Sequence, residues 1–153
     1  MKTKRKVLAY ITKGQAPNLE LLVFEHKEHP EAGLQVPAGT IEEDEQLIDA
    51  LYREINEETG ITRDNLSFIG KIHKYNYYPN GKGTVHERNF FHLGYAGDQQ
   101  NWEHLVVCDG LDNGLTFQFR WEPLGTLPKL AGAQDVAVEM LSLRRKRHEE
   151  STD

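Results

Sequence analysis

The segment Val36–Ile61 reads VPAGTIEEDEQLIDALYREINEETGI and joins a helical apolar pattern to a dense set of acidic residues. One helical stripe runs through it, with members at offsets of four, three and four residues: Leu47, Leu51, Glu54 and Glu58. The stripe starts apolar and ends acidic. We therefore predict a helix over about 44–59, with Gly60 as its left-handed stop.

The acidic end of this helix is electrostatically unfavourable. Glu54, Glu57 and Glu58 repel one another by about 0.2–0.5 kcal/mol per pair, and acids in a last turn also oppose the helix dipole. Arg53 is the only cation of the segment. A solvated charged face explains most Glu-rich helices, but here the acids continue the core stripe. A hard cation such as Mg²⁺ or Mn²⁺ would stabilise them, because these ions prefer carboxylate oxygens.

The spacing of the segment resembles the signature of the Nudix hydrolases, G-x5-E-x7-R-E-U-x-E-E-x-G-U, in which U is a bulky aliphatic residue. Every fixed position matches: Gly39, Glu45, Arg53, Glu54, Ile55, Glu57, Glu58, Gly60 and Ile61. The resemblance implies an α/β fold of the Nudix type, an α/β/α sandwich with a mixed sheet. It also implies divalent-metal-dependent hydrolysis of the phosphoanhydride in a nucleoside diphosphate linked to a second group, X.

The resemblance further implies which residues hold the cofactor. Glu54, Glu57 and Glu58 correspond to the metal-binding acids, and Gly39 corresponds to a backbone carbonyl ligand in the loop before the helix. The implied ion is Mg²⁺ or Mn²⁺. A triphosphate, a nucleotide sugar, ADP-ribose and a dinucleoside polyphosphate all remain open as substrates.

The same resemblance assigns catalytic and supporting roles. Glu57, Glu54 and Arg53 correspond to catalytic residues, with Glu57 as an additional ligand or as the residue that activates water. Glu45 and Arg53 resemble the pair that braces the loop against the helix. Gly60 allows the chain to turn out of the helix.

Residues outside this segment supply further candidates. In some members of the family an acid in a loop before a late strand acts as base or extra ligand, and the corresponding loop here offers Asp109 and Asp112. Solvated loop acids are the alternative for both. Tyr77, Arg88 and Trp102 are candidates for substrate contacts, although aromatic side chains are also simply common in strands.

Alternating and apolar runs predict the rest of the fold. The predicted strands are Lys6–Ile11, Leu19–Phe24, Leu34–Val36, Leu66–Tyr78, Val85–Tyr95 and Leu115–Trp121. The first two, and also the fourth and fifth, are joined by turn-rich segments typical of hairpins. Gly97–Gly114 is predicted to be an irregular loop. A C-terminal helix is predicted over about 133–147, with the RRKR run at 144–147 as its cationic last turn.

Composition limits the class of protein. The 153 residues show neither repeats nor a break in composition, so we expect one domain over 1–153. An apolar content of 38% without a run of roughly 18 apolar residues argues against a membrane span. A net charge of −6 argues against an extended nucleic-acid partner, although an acidic protein can still bind one small polyanion, and the family resemblance implies a small nucleotide-type substrate. A single cysteine, Cys108, fits a cytoplasmic location. The oligomeric state stays open, a homodimer included.

Two other functions remain open at this stage. A nucleotide-binding sensor of the same fold would regulate a partner without hydrolysis, although it would not need every acid of the segment. An isomerase of the same fold acting on an isoprenoid diphosphate would need a protonating cysteine in its pocket, and Cys108 is the only candidate.

Overall fold

Seven strands form one mixed sheet in the computed structural model, which describes residues 2–79 and 83–141. The strands are β1 (Lys2–Lys13), β2 (Glu20–His26), β3 (Ala38–Thr40), β4 (Leu66–Tyr77), β5 (Thr84–Tyr95), β6 (Trp102–Leu105) and β7 (Thr116–Pro123). β1 pairs in parallel with β5 and antiparallel with β2 and β3. The spatial order is β4-β5-β1-β2-β7-β6, with β3 beside β1. The predicted mixed sheet is confirmed.

The sheet separates two apolar cores, because successive side chains of a strand point to opposite faces. One core packs against the helix α1 (Leu47–Thr59), and the residues that β1 gives it are Val7, Ala9 and Ile11. The other core takes Leu8 and Tyr10 from the same strand, together with Leu130, Ala137 and Leu141 from the C-terminal segment. Helix, sheet and C-terminal segment therefore form the three layers of the predicted α/β/α sandwich.

The helix α1 buries its apolar stripe and ends where the sequence predicts. Gly60 adopts a left-handed backbone with φ 80°, and its N–H donates to the Asn56 carbonyl at 3.0 Å. The predicted start at 44 is wrong by three residues. Asp44 has φ 66°, and the N–H of Glu45 donates to the Glu42 carbonyl at 3.1 Å. The acids at 42–45 thus form a turn before the helix.

Two other predictions need correction. Leu34–Val36 is not a strand: only Gln35 pairs, in an isolated bridge with Phe24. The Val36 N–H instead donates to the Gln134 side chain at 2.8 Å, and the true strand, β3, begins after the following proline, which has no N–H to donate. The predicted loop at 97–114 contains β6, which pairs antiparallel with β7.

The predicted C-terminal helix also begins later than 133. Gly132 and Ala133 have positive φ values of 58° and 57°, which a right-handed helix cannot accommodate. Ala131–Ala133 forms a short 3-10 turn, turns follow, and helical residues occur at 139–141. The remainder of the predicted helix, with the basic run at 144–147, lies outside the described residues. In the part of the chain that is described, none of the helices has the length and apolar character that crossing a membrane requires.

The core under α1 gives a direct test of the fold. Leu51 is 1% exposed and belongs to the core on the helix side, so Leu51→Ala should lower the free energy of unfolding by about 2–5 kcal/mol, because it leaves a cavity. Leu105→Ala is the matched control. Leu105 is 56% exposed on β6, and its truncation should cost less than about 1 kcal/mol. Urea denaturation of both variants measures the difference, and equal losses would contradict the described packing.

Candidate active site

The acidic end of α1 packs in close contact with β3. Glu58 is 4% exposed, and its Oε1 accepts a hydrogen bond from the Ala38 N–H at 2.8 Å. A Cβ added at Gly39 would lie 1.9 Å from the Glu54 Cδ and 2.2 Å from both of its carboxylate oxygens. Gly39 therefore makes space for the Glu54 carboxylate, a requirement that a side chain of any size would violate.

Arg53 is the centre of an ion-pair network around these acids. Its Nε and Nη2 donate to the two oxygens of Glu45 at 2.7 and 2.8 Å, a bidentate geometry that fixes the guanidinium plane. Its Nη1 donates to Glu54 at 2.9 Å and to Glu57 at 3.3 Å. Its Nη2 also donates to the Thr40 carbonyl at 3.1 Å. The hydrogen bonds that Arg53 donates to Glu45 raise the pKa of Arg53, so the guanidinium stays charged. One side chain thus ties the loop, β3 and the acidic helix together.

Two of the carboxyl groups are poorly solvated. Burial raises the pKa of Glu54 to about 7, against the opposing effect of the Arg53 charge. Burial also raises the pKa of Glu58 well above its usual range, although its hydrogen bond from Ala38 acts in the other direction. Both groups therefore hold a negative charge with difficulty unless a cation joins them.

The donor atoms at this end of the helix fit a hard divalent cation in their chemistry. Glu54, Glu57 and Glu58 supply carboxylate oxygens, and Gly39 supplies a backbone carbonyl, all of which Mg²⁺ and Mn²⁺ accept. Within the described ranges 2–79 and 83–141, no three acidic, histidine or cysteine side chains are already arranged to hold a metal ion. In this structure, Arg53 and the Ala38 N–H satisfy these carboxylates instead.

A cleft of about 590 Å³ opens over the acidic helix. One side of it is acidic and is lined by Glu54, Glu57, Asp109 and Asp112, with Gly39 at its base. The structure therefore brings the two predicted loop acids to the same cleft as the helix acids. Glu58 does not line the cleft, since it is buried. Cys108 also lines the cleft, and its Sγ accepts a hydrogen bond from the Gly110 N–H at 3.4 Å.

The other side of the cleft is basic. It is lined by Lys4, Lys6, His86 and Arg88. Burial, followed by the charge of Lys4, lowers the pKa of Lys6, and burial, followed by the charges of Lys6 and Arg88, lowers the pKa of His86. Among these residues, Arg88 alone is predicted from the sequence. The others were missed because the parallel pairing of β1 with β5, which places them side by side, is not readable from either strand alone.

The two aromatic candidates occupy different positions. Tyr77 supports Arg88, whose guanidinium carbon lies 3.8 Å from the centre of the tyrosine ring, and Tyr77 does not line the cleft. Trp102 lies outside the cleft altogether. Its ring stacks on Phe119 with centroids 5.0 Å apart, and its indole N–H donates to the Thr59 carbonyl at 2.9 Å. Trp102 therefore packs under the end of α1, and its contact with a substrate stays a prediction.

Comparison with known proteins agrees with this arrangement. A family model described as the NUDIX domain matches residues 2–142. The chain belongs to the Nudix family. Members of this family generally use divalent metal ions, and the acidic end of α1 is where this Nudix chain offers oxygen donors for one.

Two curated relatives and one solved structure illustrate the similarity. An RNA pyrophosphohydrolase of Thioalkalivibrio sulfidiphilus is 38% identical over 112 residues, which cover 68% of this chain and 64% of the relative. An RNA pyrophosphohydrolase of Bartonella tribocorum is 32% identical over 108 residues, which cover 63% and 60%. The match thus spans less than two thirds of either relative. The binary complex of a C. elegans Ap4A hydrolase shares the fold, with a TM-score of 0.61, 19% identity and coverage of 98% and 99%.

Gly39 offers a test of the packing at the acidic end. Gly39→Ala should displace the Glu54 carboxylate and lower the free energy of unfolding by about 1–3 kcal/mol, as overpacking does. We expect Mn²⁺ to raise the Tm of the unmodified protein, and we expect this rise to be largely lost in the variant. Gly125→Ala is the matched control, because a Cβ there meets nothing within 4 Å. A wild-type response to Mn²⁺ in Gly39→Ala would contradict the inferred role of this glycine.

Proposed function

We propose that the chain is a divalent-metal-dependent pyrophosphohydrolase that cleaves the phosphoanhydride of a nucleoside diphosphate linked to X. The observation that carries the proposal is the pairing of poorly solvated carboxylates with a basic wall across one cleft. A diphosphate can bridge such a cleft, since its charge is complementary to both a cation held by the acids and the lysine and arginine side chains. Neither wall alone would distinguish an enzyme site from a solvated surface.

The chain's own residues would divide the work as follows. Glu54, Glu58 and the Gly39 carbonyl would hold the cation, for which Mg²⁺ or Mn²⁺ is the natural choice. Arg53 keeps the carboxylates in place through its contacts with Glu54 and Glu57. A bound divalent cation neutralises charge on the phosphate and lowers the pKa of water. The chain itself contributes the fixed geometry around that chemistry.

Glu57 is the residue that we assign to proton removal from the attacking water. Its side chain is 23% exposed and lines the cleft, whereas Glu58 is buried and outside the lining. A general base needs contact with both water and substrate, and burial denies this to Glu58. Asp109 and Asp112 line the same cleft and provide additional acids near the substrate.

The proposal agrees with the similar proteins without depending on them. The curated relatives carry the name RNA pyrophosphohydrolase, and the solved structure described above is an Ap4A hydrolase. Both names denote chemistry on phosphate linkages of nucleotides. We propose the same reaction class here, on a small nucleotide-type substrate and in a cytoplasmic setting.

A comparison of two glutamates tests the assignment. Glu57→Gln removes the proposed base while it keeps an oxygen donor, so kcat for hydrolysis of a nucleotide panel with Mn²⁺ should fall by about 10²–10⁴-fold. The Mn²⁺-induced rise in Tm should be retained. Glu43→Gln is the matched control, because Glu43 is exposed on the turn before α1 and lines no part of the cleft. It should keep the activity of the unmodified protein.

Other outcomes of this experiment are equally informative. Loss of the Mn²⁺ response in Glu57→Gln would make Glu57 a ligand and contradict its assignment as base. Nucleotide binding with Mn²⁺ but no hydrolysis by the unmodified protein, over dNTPs, ADP-ribose, nucleotide sugars, dinucleoside polyphosphates and 5′-triphosphorylated RNA, would contradict the enzyme proposal. That outcome would favour the nucleotide sensor.

A further inference from the structure

Four basic side chains form a grid on one face of the sheet, and we call Lys4, Lys6, His86 and Arg88 the basic grid. The parallel pairing of β1 with β5 sets Lys4 directly opposite His86 and Lys6 directly opposite Arg88. All four line the cleft. Like charges placed opposite one another, as Lys6 and Arg88 are, destabilise a sheet. An anion bound between them would remove this cost.

The described residues place no carboxylate within salt-bridge distance of these side chains, although the charges of Glu54 and Asp112 act on Lys6 from further away. Across the described residues, no salt bridge involves any member of the basic grid. Neighbouring cations outside the basic grid do form ion pairs. Arg5 and Lys74, next to the grid in sequence or in space, share Glu87 at 3.7 and 3.6 Å. Glu87 lies between His86 and Arg88 on β5, so its side chain points to the opposite face of the sheet from the basic grid.

Arg88 is the one buried member of the basic grid. It is 8% exposed, and the Gly132 carbonyl accepts from its Nη1 as its one hydrogen-bond acceptor in the described structure. Tyr77 covers one face of the guanidinium at 3.8 Å and also contacts the ring of His86, with centroids 6.2 Å apart. The guanidinium is therefore oriented and desolvated without a counter-charge. An anionic partner would stabilise a buried cation in this state, and Arg88 lines the cleft, from which such a partner could reach it.

We propose that the basic grid binds phosphate carried by X, so that the substrate is a nucleoside with a 5′-linked chain of three or more phosphates. This inference rests on the proposed function, because the phosphate that it describes belongs to X, the group that the proposed hydrolysis releases. The bridge from grid to acidic helix is Lys6, whose Nζ donates to the Thr40 hydroxyl at 2.5 Å, while the Thr40 carbonyl accepts from Arg53. A phosphate chain that extends from the acidic wall would meet Lys6 first.

The charge distribution favours a row of three or more phosphates over a substrate in which X is uncharged. A cation held by the acidic helix would neutralise charge on the two phosphates of the cleaved linkage. The sugar of ADP-ribose or of a nucleotide sugar would then lie on the basic grid and leave Arg88 without an anion. A further phosphate supplies that anion. A small dinucleoside polyphosphate and the 5′ end of a triphosphorylated RNA present the same chemistry to the grid.

A binding experiment tests the grid separately from catalysis. Inorganic tripolyphosphate is titrated into the protein in EDTA and followed by calorimetry. Lys4→Glu should weaken binding by at least about tenfold, which corresponds to about 1.4 kcal/mol. Lys2→Glu is the matched control. Lys2 and Lys4 are both exposed and point to the same face of β1, but Lys2 does not line the cleft. The Lys2→Glu variant should bind tripolyphosphate as the unmodified protein does. Equal weakening in both variants, or no binding by the unmodified protein, would overturn the proposal.

A kinetic experiment then tests the substrate class. The value of kcat/KM is measured with Mn²⁺ for a dinucleoside tetraphosphate, a short 5′-triphosphorylated RNA and ADP-ribose. The unmodified protein should prefer at least one of the first two over ADP-ribose, and this preference should fall by about tenfold or more in Lys6→Gln. A preference for ADP-ribose, or a preference unchanged by Lys6→Gln, would overturn the inference.

The two experiments separate failure of this inference from failure of the proposed function. A protein that hydrolyses ADP-ribose best is an enzyme with a different substrate class, so only the inference fails. A protein that binds tripolyphosphate through Lys4 but hydrolyses nothing keeps an anion site and contradicts the proposed function. The arms with dinucleoside tetraphosphate and RNA distinguish a small substrate from a nucleic-acid end.

Discussion

The close approach of α1 to β3 is the constraint on which the rest of the structure depends. Glu58 bonds the backbone of Ala38, and Glu54 occupies the space that a side chain at Gly39 would need. Carboxylates buried in this way are costly because water no longer solvates them. Arg53 offsets part of that cost. The helix therefore has its position set by polar contacts at one end and by apolar packing along the rest of its length.

Arg53 also explains why the segment before the helix is a turn. A helix over 44–59 would place Glu45 in the first turn, where its carboxylate would face the helix N-terminus. In the structure Glu45 accepts two hydrogen bonds from Arg53 and one from the Glu42 N–H at 3.0 Å. Three hydrogen bonds, two of them charge-assisted, outweigh the few tenths of a kcal/mol that a carboxylate gains near a helix dipole. The tertiary contact, and not local propensity, sets the helix boundary.

The residues on the helix side of the site can be predicted from the sequence, whereas most of those on the opposite side cannot. Helical spacing and the family signature are local patterns, so they identify Gly39, Arg53 and the three glutamates. The basic wall depends on the register between β1 and β5, strands separated by about half of the chain. No local pattern encodes that register, and Lys4 and Lys6 read as solvated charges at the start of a strand. The aromatic candidates depend on tertiary contacts in the same way, since Trp102 fits a ligand pocket or a core equally well until its neighbours are known.

Charge in this protein is separated across the cleft and not spread evenly over the surface. A net charge of −6 argues against an extended nucleic-acid partner, yet the cleft contains a basic wall whose members lack salt-bridge partners in the described residues. The long-range field of the protein would repel a polyanion, whereas the local field at Arg88 would attract a phosphate once the approach is screened by salt. An anion, or the anionic end of a longer molecule, would therefore have to reach into the cleft to be bound. Binding energy then comes from desolvated contacts at the site and owes little to steering from a distance.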